Sequence, residues 1–184
     1  YEISLGLVGS EMCIRDSQKI RMLNAYLFFQ SGIPVIYSGD EIGQVNDYSY
    51  KEDEDADRAA DSRYLHRGKF RWDLERCRNV PETVQNRIFE GMRQMEKVRF
   101  CCRPFSGQAE VWTETTHNPH VLCICRQIDQ EMVVGLFNFS EDEQTAWIDM
   151  GEFAYEDLLA GGACRLQGVV LPGNGYGWFY RKWK

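Results

Sequence analysis

The segment Gly32–Gln44, GIPVIYSGDEIGQ, decides how the first part of the chain is interpreted. Its apolar run from Ile33 to Tyr37 predicts a buried strand, which continues into a glycine and two carboxylates, Asp40 and Glu41. An apolar strand that is buried on both faces normally belongs to a parallel sheet covered by helices, with the chemistry at the carboxyl ends of the strands. The other strands of such a sheet must therefore come from elsewhere in the protein.

Helical periodicity occurs on both sides of this segment. Residues 18–30 place apolar side chains at helical spacing and predict a helix that ends at Ser31 and Gly32. Residues 81–100 predict a second helix, which Thr83 can cap. The apolar stripe of this second helix consists of Val84, Ile88, Met92, Met95 and Val98. A helix, a short loop and a parallel-type strand form one step of a repeating α/β architecture.

The segment from residue 38 to residue 81 is polar, acidic and aromatic, and it is far longer than a routine connection after a strand. Loops of this size are usually functional or contain short helices of their own. The alternating aspartates of residues 53–57 resemble the start of a calcium loop, but Arg58 and Tyr64 stand where such a loop needs glycine and glutamate. An EF-hand is therefore excluded.

Within this segment, DSRYLHR at residues 61–67 mixes charged side chains with an aromatic ring. Planar guanidinium groups and flat rings are the groups with which proteins bind sugars, through paired hydrogen bonds and stacking. An ordinary structural ion pair would use the same residue types. The chemistry of the residues alone leaves both interpretations open.

After Pro104 the apolar period changes to two, and turn sequences separate the apolar runs. The predicted strands lie in AEVWTE, HVLCICRQ, EMVVGLFNFS, QTAWIDM and YGWFYRKW. Consecutive antiparallel strands of this kind predict a small β-sandwich. The sequence therefore predicts a domain boundary near Phe105.

Composition restricts the partners and the compartment of the 184-residue chain. Its net charge of -7 disfavours nucleic acid and anionic membranes as partners. The adjacent pair Cys101 and Cys102 and the alternating pair Cys123 and Cys125 have little freedom to bridge, which predicts reduced thiols and a cytoplasmic protein. The three histidines do not show zinc-ligand spacing, and no metal or other cofactor is expected.

The first seventeen residues do not have the pattern of a signal peptide. Their stretch LVGSEMCIRDS resembles one reading frame of a transposase adaptor used in preparing sequencing libraries. We therefore interpret residues 1–17 as an adaptor-derived artefact, and we expect the missing strands to lie upstream in the parent gene.

Residues 18–184 resemble the C-terminal part of the α-amylase superfamily, glycoside hydrolase family 13, and especially its amylosucrase-like branch. GIPVIYSGDEIGQVNDYSY resembles the segment through the eighth barrel strand, EGMRQMEKVR the last barrel helix and VVGLFNFSE a strand of the C-terminal domain. ADSRYLHRGKF resembles the amylosucrase segment DDSRW-HR, with Tyr64 in place of its tryptophan.

This resemblance implies an α/β part followed by an all-β part. Residues 18–104 would be the end of a catalytic (β/α)8 TIM barrel, with a long loop after its last strand. Residues 105–184 would be the C-terminal antiparallel β-sandwich domain.

The resemblance also implies retaining transfer of glucose from sucrose to an α-glucan or another sugar acceptor, through a covalent glucosyl intermediate. The reactive carboxylates of such enzymes lie on earlier strands, so this chain is expected to be inactive. Arg63 corresponds to the arginine whose salt bridge closes the glucose pocket. Further candidates for the pocket rim or for anchoring the loop are Asp40, Glu41, Asp47, Tyr48, Asp61, His66 and Arg67.

Two other functions stay open. One is an α-glucosidase or sucrose hydrolase of the same superfamily. The other is a noncatalytic carbohydrate-binding β-domain that uses some of its tryptophans, Trp112, Trp147, Trp178 and Trp183, as a stacking platform. Because Trp112 and Trp147 fall within apolar strands, they are predicted to belong to the core.

Overall fold

The computed structural model describes residues 2–52, 55–66 and 68–183. They form two compact units, one made of the residues up to Val35 together with those from Glu90 onward, the other of residues 36–89. The α-helices are α1 (Glu2–Phe29), α2 (Ala56–Ala60), α3 (Trp72–Glu75) and α4 (Val84–Cys101). The strands are β1 (Glu110–Glu114), β2 (Val121–Ile128), β3 (Glu131–Asn138), β4 (Gln144–Trp147), β5 (Tyr155–Asp157), β6 (Ala163–Cys164), β7 (Gln167–Leu171) and β8 (Tyr176–Lys182).

Both predicted helices are present. Helix α1 includes most of the predicted segment but begins much earlier, at Glu2. At the start of α4, the Thr83 hydroxyl accepts a hydrogen bond of 3.1 Å from the backbone N–H of Asn86, which is an N-cap. Three residues of the predicted stripe are fully buried, namely Ile88, Met92 and Met95. None of the helices in the described part of the chain combines the length and the apolar character that a membrane span requires.

The predicted strand at Ile33–Tyr37 is wrong for this structure. The segment is not part of any sheet, and most of its side chains face solvent, with Ile33 90% exposed. A strand requires a neighbouring strand for its backbone hydrogen bonds. Among residues 2–52, 55–66 and 68–183, every strand pair is antiparallel and none involves this segment. The remnant of a TIM barrel therefore stays a prediction.

The β-rich part is antiparallel, as predicted. Six strands form one sheet in the order β1-β2-β3-β8-β5-β6, and β4 pairs with β7 in a separate two-stranded ribbon. All five predicted strands occur, whereas β5, β6 and β7 were not expected. These three strands are two to five residues long, too short to show a clear period. The division into barrel and sandwich domains near Phe105 stays a prediction about the parent protein, because helix α1 belongs to the same compact unit as the sheet.

One face of the large sheet shares an apolar core with the β4–β7 ribbon. The core cluster takes Val134 and Leu136 from β3, Phe179 from β8, Ala146 from β4 and Leu171 from β7. Burial of such side chains is the main favourable contribution to folding. The ribbon is therefore held to the sheet by its inward-facing residues.

Helix α1 covers β3 and β8 through aromatic rings. Phe29 of α1 lies 5.6 Å from the rings of both Phe137 and Trp178, and Phe105 lies 5.0 Å from Trp178. The helix reaches this close because β3 carries Gly135, where an added Cβ would stand 2.8 Å from the Phe29 ring. A glycine at position 135 is therefore a packing requirement of this contact.

A buried arginine of β2 joins the helix to the connection that precedes β1. Arg126 is 1% exposed, and its guanidinium donates to the carbonyls of Pro104 at 2.9 Å, Phe29 at 3.1 Å and Ser106 at 3.3 Å. It also donates to the Ser31 hydroxyl at 3.1 Å. Burial lowers the pKa of Arg126, because removal from water disfavours the charged form. Backbone carbonyls, rather than a carboxylate, therefore satisfy this charge.

A second arginine reaches the same helix end from α4. Arg99 donates to the carbonyls of Phe28, Gln30 and Gly32. The last carbonyls of a helix have no partner within the helix, and they carry its negative dipole end. Two arginines from different elements therefore cap α1.

We expect Arg126→Met to lower the free energy of unfolding by about 3 kcal/mol, because several buried carbonyls lose their donor. Urea denaturation followed by tryptophan fluorescence measures the change. Arg165→Met is the matched control, since Arg165 is exposed in the same unit, and it is expected to change stability by less than about 0.5 kcal/mol. Equal stability of the two variants would contradict the capping role.

Candidate functional site

All predicted site residues fall in the unit formed by residues 36–89. The long segment after residue 37 contains short helices of its own, one of the two possibilities that its length suggested. Besides α2 and α3, it has 3-10 helices at Asp40–Ile42, Tyr48–Glu52, Ser62–His66 and Arg76–Asn79. This segment is therefore built from short helical turns rather than from one long regular element.

Arg63 forms an ion pair with Asp61. Its Nε donates to both carboxylate oxygens of Asp61 at 2.9 Å, and its Nη2 lies 2.7 Å from Oδ2. The backbone N–H of Arg63 also donates to Asp61 Oδ1, at 3.0 Å. The hydrogen bond to Asp61 raises the pKa of Arg63, whose side chain stays 71% exposed. The guanidinium is therefore fixed in orientation and open to solvent.

The pair lines an open concavity of about 370 Å3. Its lining residues are Asp55, Asp57, Arg58, Ala60, Asp61, Arg63 and Tyr64. The Arg58 guanidinium lies over the Tyr64 ring, 4.8 Å from its centroid, which is a cation–π distance. Carboxylates, guanidinium groups and one ring around an open space suit a small ligand with many hydroxyl groups.

Asp47 is engaged with its own loop rather than with this concavity. Its Oδ1 accepts hydrogen bonds from the backbone N–H of Ser49 at 2.9 Å and from the Ser49 hydroxyl at 2.6 Å. These bonds lower the pKa of Asp47. The N–H of Asp47 donates to the carbonyl of Leu65 at 2.9 Å. The neighbouring Tyr48 is exposed, with the Lys51 ammonium 6.0 Å from its ring centroid.

Asp40 and Glu41 have different surroundings. Glu41 Oε2 accepts a hydrogen bond of 2.8 Å from the backbone N–H of Gly39, whose φ of 104° favours glycine. Asp40 is exposed at the edge of a small cavity of about 90 Å3 that Leu65 and Gly68 also line. The Glu41 contact is of the kind that anchors a loop. Arg67 and the side chain of His66 lie outside the described residues.

Sequence reasoning missed Gln44, which fastens the two ends of this loop together. Its Nε2 donates to the carbonyl of Lys69 at 3.1 Å, and its Oε1 accepts from the N–H of Arg71 at 3.0 Å. Its backbone N–H donates to the Gly39 carbonyl at 2.9 Å. The partners are up to 27 residues away, so no local pattern could identify them.

A second ion pair with the same spacing lies nearby in the chain. Arg71 contacts Asp73 through Nε at 2.8 Å and Nη2 at 2.5 Å, and this pair lowers the pKa of Asp73 to about 2. Both side chains are largely exposed, so the pair adds little stability. No three His, Cys, Asp or Glu side chains within the described part of the chain are grouped so that they could hold a metal ion.

The tryptophans differ in exposure. Trp178 is fully buried, and Trp112 and Trp183 pack against the core. The prediction that Trp147 belongs to the core is wrong, because half of its surface is exposed. On β4 the neighbouring Ala146 is buried, and alternation along a strand then turns Trp147 outward.

No protein-family model matches the sequence. Among solved structures, AmyP E221Q in complex with maltotriose has a TM-score of 0.70 at 15% identity, over 89% of this chain and 34% of its own. The trehalulose synthase MutB from Pseudomonas mesoacidophila MX-45 has a TM-score of 0.68 at 18% identity, over 89% of this chain and 38% of its own. The maltogenic amylase from S. marinus has a TM-score of 0.59 at 21% identity, over 90% of this chain and 19% of its own.

At these identities the similarity concerns the fold alone. The chain spans less than two fifths of the length of each of these enzymes. One of them is a maltogenic amylase, one is a trehalulose synthase and one is in complex with maltotriose, and this chain shares the fold of a part of each.

We expect Gln44→Ala to raise backbone hydrogen exchange in residues 36–71 by about tenfold, because both amide contacts that close the loop are lost. Hydrogen exchange followed by mass spectrometry measures this, with peptides of β2 and β3 as the internal reference. The exposed Gln108 gives the control variant Gln108→Ala, which should leave exchange unchanged. Unchanged exchange in the Gln44 variant would show that other contacts hold the loop.

Proposed function

We propose that this chain is part of a sucrose-active retaining α-glucosyltransferase of the amylosucrase-like type. The observation that carries the proposal is the Asp61–Arg63 pair at the concavity, because it occurs in the segment with the specific sequence resemblance. The fold similarity to a maltogenic amylase, to a trehalulose synthase and to a protein in complex with maltotriose supports the same general class. An α-glucosidase or sucrose hydrolase of this superfamily would use the same type of pocket.

Arg63 is suited to bind a sugar without moving. A guanidinium has five N–H donors in a rigid plane, and the contacts with Asp61 use only the Nε and Nη2 side of it. The pair holds the plane in one orientation, so a hydroxyl-rich ligand finds preset donors. Exposed carboxylates on the same concavity can accept bonds from sugar hydroxyl groups.

The retaining reaction needs a nucleophilic carboxylate and a second carboxyl group about 5 Å away, on either side of the glycosidic bond. In our proposal these groups belong to the upstream part of the parent protein. Asp40 and Glu41 are not offered as this pair, because they are adjacent in the chain and Glu41 is engaged with Gly39. The role proposed for this chain is to form part of the pocket rim.

We expect this chain to release no fructose from sucrose above the buffer rate, because it supplies the rim and not the reacting carboxylates. A coupled fructose assay with the purified 184-residue protein measures the rate. Measurable turnover that scales with protein concentration would refute the assignment of the reacting groups to an upstream segment.

We expect weak sucrose binding at Arg63. Ligand-observed NMR with sucrose should show saturation transfer to the wild-type chain and at least a threefold loss in Arg63→Ala. The control variant is Arg71→Ala, which removes another exposed arginine paired with an aspartate two residues away. An equal loss in both variants, or none in Arg63→Ala, would contradict the pocket-rim role.

A further inference from the structure

An exposed tryptophan of the β4–β7 ribbon is held in place by two polar side chains. The Trp147 indole N–H donates to Asp149 Oδ1 at 3.0 Å. The other carboxylate oxygen of Asp149 lies 2.9 Å from His117 Nε2. Half of the Trp147 surface is exposed, and both polar side chains are mostly exposed as well. Ring, carboxylate and imidazole thus form one connected surface group, which we call the Trp147 cluster.

Backbone contacts fix the Trp147 cluster from the other side. The N–H of Trp147 donates to the carbonyl of Thr116 at 2.9 Å, next to His117. Asn118 ties the same loop to β4, because its Nδ2 donates to the Thr145 carbonyl at 3.0 Å and to Gln144 Oε1 at 2.8 Å. The loop that carries the imidazole and the strand that carries the indole therefore form one hydrogen-bonded assembly.

Two backbone irregularities occur in or next to the Trp147 cluster. The ribbon has a bulge at Ala146 and Trp147, and Gly168 is the extra residue on the opposite strand. Gly168 has a φ of 80°, and an added Cβ there would meet nothing within 4 Å. His117 has a φ of 53°, which is uncommon for a residue other than glycine.

We propose that the Trp147 cluster is an accessory binding surface for α-glucan chains. The apolar face of a glucose ring would stack on the exposed indole, and Asp149 and His117 would form hydrogen bonds with its hydroxyl groups. The choice of a glucan as the ligand rests on the proposed function. The surface itself is argued only from the residues of the β-rich unit.

The parts of the Trp147 cluster are already ordered before a ligand binds. A free tryptophan side chain would lose rotamer freedom when a ligand binds, which weakens binding. Here the indole N–H is already bonded, so this loss is reduced. The core tryptophan Trp178 is fully buried, whereas Trp147 remains half exposed.

The test measures binding of soluble starch by affinity gel electrophoresis of the full 184-residue chain. Wild type should be retarded, and Trp147→Ala should weaken binding at least fivefold, while Trp147→Phe should retain most of it because a flat ring remains. The control is Trp72→Ala, which removes a similarly exposed tryptophan from the other unit. Near-wild-type thermal unfolding of the Trp147 variants shows that an altered fold does not cause the loss.

Starch binding that is unchanged in Trp147→Ala, or equally weakened in Trp72→Ala, would overturn the proposal. No starch binding by the wild-type chain would overturn it as well. The proposed function fails separately, through the sucrose experiment at Arg63. Loss of starch binding in Trp147→Ala with sucrose binding intact would support the accessory surface as a site of its own.

Discussion

The C-terminal end of α1 is the point on which the larger unit depends. Four carbonyls in or just beyond the last turn of this helix, those of Phe28, Phe29, Gln30 and Gly32, accept from two guanidinium groups. Placing two like charges close together in a buried region is unfavourable by itself, and it lowers the pKa of Arg126 further. The negative end of the helix dipole and the carbonyl oxygens offset this cost. Because the arginines come from β2 and α4, the helix end fixes three elements at once.

The two arginines at the C-terminal end of α1 also contact the aromatic rings around it. The guanidinium carbons of Arg99 and Arg126 both lie 5.6 Å from the centroid of the Phe105 ring. That ring in turn packs against Trp178, and Phe29 packs against both rings. A flat ring accepts cations over its face and apolar partners at its edge, so it can join a polar cap to an apolar layer. The cap holds α1 next to β3, and Gly135 leaves the space that this close approach requires.

Sequence patterns correctly predicted the helices and strands that are determined by the apolar residues of their own segment. The spacing around Met92 and Met95 indicates one buried helix face, and the apolar runs of β2 and β3 indicate strands that are buried along most of their length; each of these elements is present. The strand prediction for Ile33–Tyr37 was wrong because a strand requires a partner segment, and the sequence of the run itself does not show whether one is present. The role of Gln44 was not predicted for a similar reason, because its hydrogen-bond partners lie up to 27 residues away in the chain.

Trp147 shows a different kind of error, since the necessary signal was present in the sequence. If Ala146 and Ile148 face inward, a period of two places Trp147 outward, and the structure has this arrangement. The error came from giving the apolar character of tryptophan more weight than its position in the strand. For the candidate site, the sequence identified Arg63 and Asp61, but it could not show that the pair lies on a concavity where Arg63 stays exposed.

The two candidate sites share one type of local hydrogen bond. In each, a carboxylate two residues away in the chain holds a planar side chain, Asp61 for Arg63 and Asp149 for Trp147. In each case the carboxylate fixes the planar group while part of that group stays exposed to solvent. Adjacent residues such as Asp40 and Glu41 lack this geometry. Arg71 with Asp73 and Trp112 with Glu114 show the same two-residue spacing, so the spacing alone does not identify a site. The concavity at Arg63 and the half-exposed ring of Trp147 distinguish the two candidates.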